Sequence, residues 1–590
     1  MHSPFSIIRR VSLFAALVAC GSVALAQTWT GANSGTWSSS ANWSGGTPGT
    51  NATANFAGTN APNITTSTSV GELVFASGAG SETFAGTGNT LTLKAPNAFG
   101  IWDQAASGTI AFGNNFALGV LQTWEIYGAG SLSFAGTVSL GTYTLTLVDT
   151  GSGTMTFGNA ISGSGGLTVS SGAVSLNGTD SYTGATSVAA GVLSLGSTGA
   201  IASSSGVTVS SGGELQFNNT GTNTFSGPAM TISGTGVGSA GAINNIASGT
   251  NTYNGNLTLS AASTIKDNGA LTLGGTVNNG GNLLTVNGSG TPTLGGVVSG
   301  AGGLTYSGSG TMTLTGANTH TGATTISAGT LALGSNNVLS SSSQLTIGSA
   351  GTLNMNGNNQ TLFGATTGAA TLSSGGKIIF GTSTNSSTLT LSGSGTIAFS
   401  GSMTGFGTIV VGSGVTLTFG SNVTDANLNI VLNNGTLNIN GNNLTFGNLT
   451  FEGGTSNLNF AGGSSVIDFT GTVIAGASTD TLEVQNWTNG VSYFYSTTIP
   501  DPQGSQHAPL NQIVFDTPTW NATNTTWLPY NNGPDGDNQI TPVPEPAAYG
   551  AVAAAIAVGL AGFVAQRRKA AGRIKAAAKT QVSAALASSP

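Results

Sequence analysis

The sequence predicts an all-β protein, a stacked β-solenoid, and three observations carry that prediction. Short runs in which Thr, Leu, Val or Ile alternate with small residues recur from about residue 51 to residue 480, with Gly, Asn and Ser between them. Period-2 alternation bounded by turn residues is the pattern of short half-buried strands. One module occurs twice: Tyr182-Thr183-Gly184-Ala185-Thr186 matches His320-Thr321-Gly322-Ala323-Thr324, and Ala190-Gly191-Val192-Leu193 matches Ala328-Gly329-Thr330-Leu331. The copies lie near residues 165–196 and 302–334. Finally, glycine makes up 94 of 590 residues and only 5% of the chain is charged, against about a quarter in ordinary globular proteins. Abundant, regularly placed β-branched residues turn that low charge toward repetitive β structure and away from disorder.

In chain order, residues 1–26 read as a secretory signal: Arg9 and Arg10, an apolar run from Val11, and Ala24-Leu25-Ala26 before Gln27 as a small-x-small cleavage site. Leu17-Val18-Ala19-Cys20 offers a second reading, a lipidated Cys20, and both readings export the body. Cys20 is the lone cysteine, so no intrachain disulfide forms. Residues 27–50 form an N-terminal segment with Trp29, Trp37 and Trp43 among Gly, Ser and Asn. These indoles are read as a cap over the open end of a β stack, where exposed edges need protection, with a sugar-binding platform as the alternative. Residues 51–480 are the solenoid body. With about 20–25 residues to a rung the body holds roughly 17–22 rungs, a rod on the order of 80–105 Å long. Residues 481–532, with Trp520 and Trp527, read as a C-terminal cap, and 533–542 as a linker. Residues 547–565 then carry no charge and are followed by Arg567-Arg568-Lys569. As a helix of about 28 Å they match a bilayer core, with the basic cluster on the cytoplasmic side.

Two resemblances follow from these residues. Gly316–Ser335, with its N-x-Y-x-G-x-T turn and A-G-T-L strand, resembles the autotransporter-associated β-strand repeat, with His320 at the usual Tyr position; Gly178–Ser197 resembles it with Asp180 at the Asn position. The resemblance implies a right-handed parallel β-helix of the secreted-passenger kind and no reaction. Residues 543–590, with Val543-Pro544-Glu545-Pro546, an apolar helix and Arg567-Arg568-Lys569, resemble the PEP-CTERM sorting signal of Gram-negative bacteria. That resemblance implies an exosortase-type processing enzyme, an inner-membrane anchor in transit, delivery to the outer surface or matrix, and association with exopolysaccharide or another surface glycan. Ala570–Pro590 extends beyond the length such signals usually have.

The chemistry-bearing residues are few. Between the two ends the chain has no arginine, only Lys94, Lys266 and Lys377, and all eighteen Asp and Glu. That balance excludes the phosphate neutralisation on which nucleic-acid binding depends. A lyase-type site needs a basic residue beside clustered acids, and a Ser-His-acid arrangement needs a histidine. Beyond the leader only His320 and His507 occur, the first expected as a turn residue and the second within the cap. No zinc spacing exists, and Asp535-Gly536-Asp537-Asn538 reads as linker more than as a calcium loop. The expectation is a protein without catalytic residues, metal or cofactor: a structural, adhesive or exopolysaccharide-associated surface rod. Two alternatives stand beside it. One is a carbohydrate-binding protein using the Trp29/Trp37/Trp43 or Trp520/Trp527 clusters; the other is a polysaccharide hydrolase with two acids meeting across rungs.

Overall fold

The computed structural model describes residues 26–487, apart from 33–34, 59, 106, 247, 363–369, 373–376 and 394, and then strands within 492–542. Among the described residues the structure is β throughout, with two 3-10 turns, Ser40–Asn42 and Val237–Ser239. The signal region, the Val543–Pro546 motif, the apolar run 547–565, Arg567, Arg568, Lys569 and His507 lie outside the described residues. Among the described residues no helix is long and apolar enough to cross a membrane. The chain divides into two compact units, residues 1–381 and 382–590.

In the first unit the strands climb in parallel ladders. One runs Gln27–Thr28, Thr53–Phe56, Glu72–Phe75, Phe99–Asp103, Gln122–Ile126, Leu145–Asp149 and onward. A second runs Glu82–Phe84, Thr109–Phe112, Ser131–Phe134, Thr154–Phe157, Ala173–Leu176, Gly191–Leu195 and Gly213–Phe217. A third, shorter ladder joins Thr68–Val70, Thr90–Leu93, Asn115–Leu118, Val138–Ser139 and Ile161–Ser162. Leu132 faces Met155, 23 residues on, and Leu304 faces Thr324, 20 residues on, but other rungs are shorter or longer than the 20–25 residues expected, from 19 between Val174 and Leu193 to 28 between Leu73 and Ile101.

Alternation decides which side chains enter the core, because successive Cβ atoms point to opposite faces of a strand. In the second ladder the inward column is Phe84, Phe112, Phe134, Phe157, Leu176, Leu195 and Phe217. All seven are buried. Phe112 and Phe134 stack 5.2 Å apart at 12°, and Phe134 and Phe157 4.9 Å apart at 11°. Each such ring contributes about 1.5–3 kcal/mol by burial, and rings of neighbouring ladders meet across the core, as Phe84 meets Phe75 at 5.7 Å.

The second unit is built the same way, with ladders such as Ser387–Leu391, Gly407–Val411, Leu428–Asn433, Leu449–Glu452 and Val473–Ala475. Parallel pairing runs past residue 480: Ser492–Ser496 continues from Ser465–Phe469, and Ile513–Thr517 from Thr481–Gln485. Pairing then turns antiparallel, Ile513–Thr517 with Trp520–Ala522 and Thr525–Asn531 with Asn538–Pro542. A reversal of this kind closes an edge that parallel rungs would leave open. It places Trp520 and Trp527 on the closing strands, and residues read as linker on the last of them.

Candidate functional site

The repeated module is the natural place to look for chemistry, and its side chains turn inward. Tyr182 OH lies 2.7 Å from Thr186 Oγ1, which lies 2.9 Å from Ser204 Oγ. In the second copy His320 Nε2 lies 2.8 Å from Thr324 Oγ1, which lies 2.9 Å from Ser343 Oγ. His320 is fully buried, and burial lowers its pKa to about 4. Its backbone belongs to a connection, as expected of a turn residue, yet its ring sits in the core with Nδ1 unbonded. A base there meets neither solvent nor substrate.

The other motif positions are equally structural. Asn318 accepts the Val298 N–H at 2.7 Å and donates to the Val338 carbonyl at 2.7 Å. Asp180 accepts the Ile161 N–H at 2.7 Å, but its second oxygen has no partner, and burial raises its pKa to about 7. A Cβ on Gly184 or Gly322 would collide with the backbone of Gly165 or Gly302 one rung below. Gly191 and Gly329 have φ of 79° and 66°, in the left-handed region that glycine enters without penalty.

Trp29, Trp37 and Trp43 are 7%, 2% and 4% exposed. Trp43 meets Trp29 at 5.0 Å and Trp37 at 4.9 Å, both edge-on, and Trp37 and Trp43 continue into Phe56. Trp43 Nε1 donates to the Trp37 carbonyl at 2.8 Å. The three indoles are thus buried against one another and against the first strands.

Acids in the first unit are dispersed. Glu72 and Glu82 are raised to about 7 and Asp103 to about 6, each chiefly by burial. Asp103 and Asp149 occupy one column with Ile126 between them, and each also accepts a backbone N–H two residues on, at 2.9 and 2.8 Å. They act as corner braces. Among the described residues no group of three or more His, Cys, Asp and Glu could hold a metal ion.

Among the described residues of the first unit, partly exposed aromatic side chains lie elsewhere. Gly100 is the extra residue of a bulge, since Phe99 faces Thr123 but Ile101 faces Trp124. Phe99 and Trp102 thereby come together with ring centroids 6.4 Å apart. Tyr127 and Leu121, each 63% exposed, and Tyr143, 37% exposed, belong to this ladder and the connections entering it. The sequence signal was present in Phe99-Gly100-Ile101-Trp102, a glycine that breaks a strand's alternation and so marks a bulge.

A family model described as passenger-associated-transport-repeat matches residues 147–176, 171–195 and 304–333. The last two coincide with the modules read from the sequence; the first adds a copy in which Gly163 stands at the aromatic turn position and Ile161 at the Asn318 position. No curated protein and no solved structure matches the chain. Over these stretches the chain is similar to passenger-associated transport repeats, and there the similarity falls on residues whose hydrogen bonds hold one rung to the next.

Proposed function

We propose that the chain is an exported, non-catalytic scaffold of the cell surface, whose β-helix supplies length and a repetitive, nearly charge-free exterior. The observation that carries this reading is the use made of the repeat: Tyr182, Thr186 and Ser204, like His320, Thr324 and Ser343, are spent on buried bonds between rungs. Passenger-type repeats favour export. In this reading the helix is right-handed, Val543-Pro544-Glu545-Pro546 is the sorting motif, 547–565 the inner-membrane anchor in transit, and an exosortase-type enzyme the processing partner. Two experiments test it. Fractionation of Gram-negative cells producing the full chain should find it at the outer surface or in the matrix, and Pro544→Ala with Glu545→Ala should hold it at the inner membrane. Turnover of any polysaccharide in a broad panel by the purified chain would sink the non-catalytic reading.

The half-buried Phe99 and Trp102 and the exposed Tyr127 and Tyr143 favour one second reading, attachment to an exopolysaccharide. In it the contact moves from the buried Trp29, Trp37 and Trp43 to Phe99, Trp102, Tyr127 and Tyr143. Tryptophan quenching by extracted exopolysaccharide, abolished by Trp102→Ala and kept by Trp37→Phe, is the expected result; equal quenching in Trp102→Ala removes it.

A further inference from the structure

One cluster outside the repeat has no structural role that accounts for its composition. On the outer side of the second ladder of the first unit, Gln216, Asn244, Lys266 and Asn287 face one another in register on four successive strands. Glu214, on the strand of Gln216, is only 2% exposed. It accepts hydrogen bonds from Asn244 Nδ2 at 2.8 Å and from Gln216 Nε2 at 3.0 Å. Asn244 is itself 5% exposed, and its carbonyl oxygen is buried without a partner. Lys266 is the only Lys or Arg between Lys94 and Lys377, and it is half-buried. The loop Thr235–Gly241, closed by a 2.7 Å bond from Gly241 N–H to the Thr235 carbonyl, runs beside it. A Cβ on Gly241 would stand 3.2 Å from that of Lys266. Neighbouring strands are about 4.8 Å apart, which puts the Asn244 carboxamide within reach of the lysine amine.

We propose that Lys266 and Asn244 join in an intramolecular isopeptide bond, with Glu214 moving the protons. Lys266 Nζ gives a proton to the Glu214 carboxylate and attacks Asn244 Cγ. Glu214 returns the proton to Nδ2, the atom it already holds. The Cγ–Nδ2 bond breaks, the departing ammonia takes the remaining extra Nζ proton through Glu214 and leaves as ammonium, and a Cγ–Nζ amide remains. The step is an exchange of amines on one carbonyl, so no oxidant, reductant or second substrate enters. Fixed neighbours on a rigid sheet supply the proximity that makes such a reaction effectively unimolecular, and a positioned carboxylate supplies the general acid and base. Asn287 flanks Lys266 on the other side, but the hydrogen bond to Glu214 belongs to Asn244, and this selects the electrophile.

The test is a peptide map of the purified full chain, denatured and cut with chymotrypsin, which separates residue 244 from residue 266 after Tyr253. The expected result is one branched peptide containing both residues, lighter than its two parts by one ammonia; mapping by peptide keeps this distinct from cyclisation of an N-terminal Gln27. Lys266→Arg and Glu214→Gln should each give the two peptides separately and at full mass, with unchanged circular dichroism. Separate full-mass peptides from the unaltered chain overturn the proposal, as does a branch to Asn287. A link that forms normally in Glu214→Gln overturns the role given to Glu214.

Discussion

His320 stands where Tyr182 stands in the other repeat: each ring is buried, and each is hydrogen-bonded to the threonine four residues on, at 2.8 and 2.7 Å. A phenol satisfies that site with one polar atom, whereas the imidazole brings a second, Nδ1, that is buried without a partner. An unsatisfied buried group costs about 1–3 kcal/mol. His320→Tyr should therefore raise the stability of the first unit by about 1 kcal/mol, and His320→Ala should lower it by about 2–4 kcal/mol through the cavity and the orphaned Thr324 hydroxyl. Denaturant unfolding at pH 7.5 measures both, and a destabilised tyrosine variant would contradict the equivalence.

The same residue gives a pH dependence with a defined sign. Its pKa is about 4 in the fold and 6.5 as an ordinary value, so between those limits the unfolded chain binds the extra proton. The contribution of His320 to stability is present above about pH 6.5 and is lost as pH falls toward 4. The difference in unfolding midpoint between the wild type and His320→Tyr should widen on acidification through this window.

Asp180 works in the opposite direction. Its pKa is raised from 3.8 to about 7, so the fold binds the extra proton, and stability is greatest below about pH 4 and falls as pH rises to 7. Asp180→Asn should copy Asn318 and gain about 1–3 kcal/mol at pH 8, fading toward zero at pH 4. Equal stability of variant and wild type at pH 8 would show that the carboxylate is not penalised there.

Glycine at the A-G strand entry is a requirement of shape. Gly191→Ala or Gly329→Ala should cost about 1–3 kcal/mol, because the conformation is left-handed and a Cβ would meet the carbonyl of Gly172 or Gly308. Gly49→Ala, where a Cβ meets nothing within 4 Å, should be neutral. Thermal unfolding of the three variants side by side separates a positional effect from a general one.

Trp37 covers the first rungs. Trp37→Ala should cost about 3–5 kcal/mol locally, read as faster amide exchange over Thr53–Phe56 with exchange over Thr324–Leu333 unchanged, since stacked repeats couple mainly to their neighbours. Loss of protection in both regions would mean that the unit unfolds as one.

Much of this architecture was legible because strand alternation and turn residues are local signals. Thr154–Phe157 and Leu145–Asp149 declare their inward sides by themselves, and the two copies of the module share their turn and strand residues in the same order. What could not be read was which polar residues the coiling buries. Asp180, Glu82 and His320 look like surface residues in a chain so rich in Ser and Thr, and only the path of the neighbouring rung encloses them. The tryptophans show the same limit. Trp29, Trp37 and Trp43 read as a cover more readily than as a sugar platform, but no local signal gives their mutual edge-on packing, while Phe99 and Trp102 gained a shared surface from a single bulge. The side-chain chemistry of Glu214, Asn244 and Lys266 is long-range in the same sense: their proximity depends on register across strands.

The in-register stacking of Leu304 on Thr324 also bears on how such a gene changes. Twenty residues separate the two, and the segment between them begins and ends at equivalent points of one coil. A tandem duplication of the codons for residues 304–323 would insert a further coil whose upper and lower neighbours are already the correct ones. The product would be longer by about 4.8 Å, with its termini, caps and hydrogen-bond pattern intact. Slippage during replication thus becomes a source of length variants that fold at once, and alleles of this gene should differ by whole coils more readily than by fractions of one.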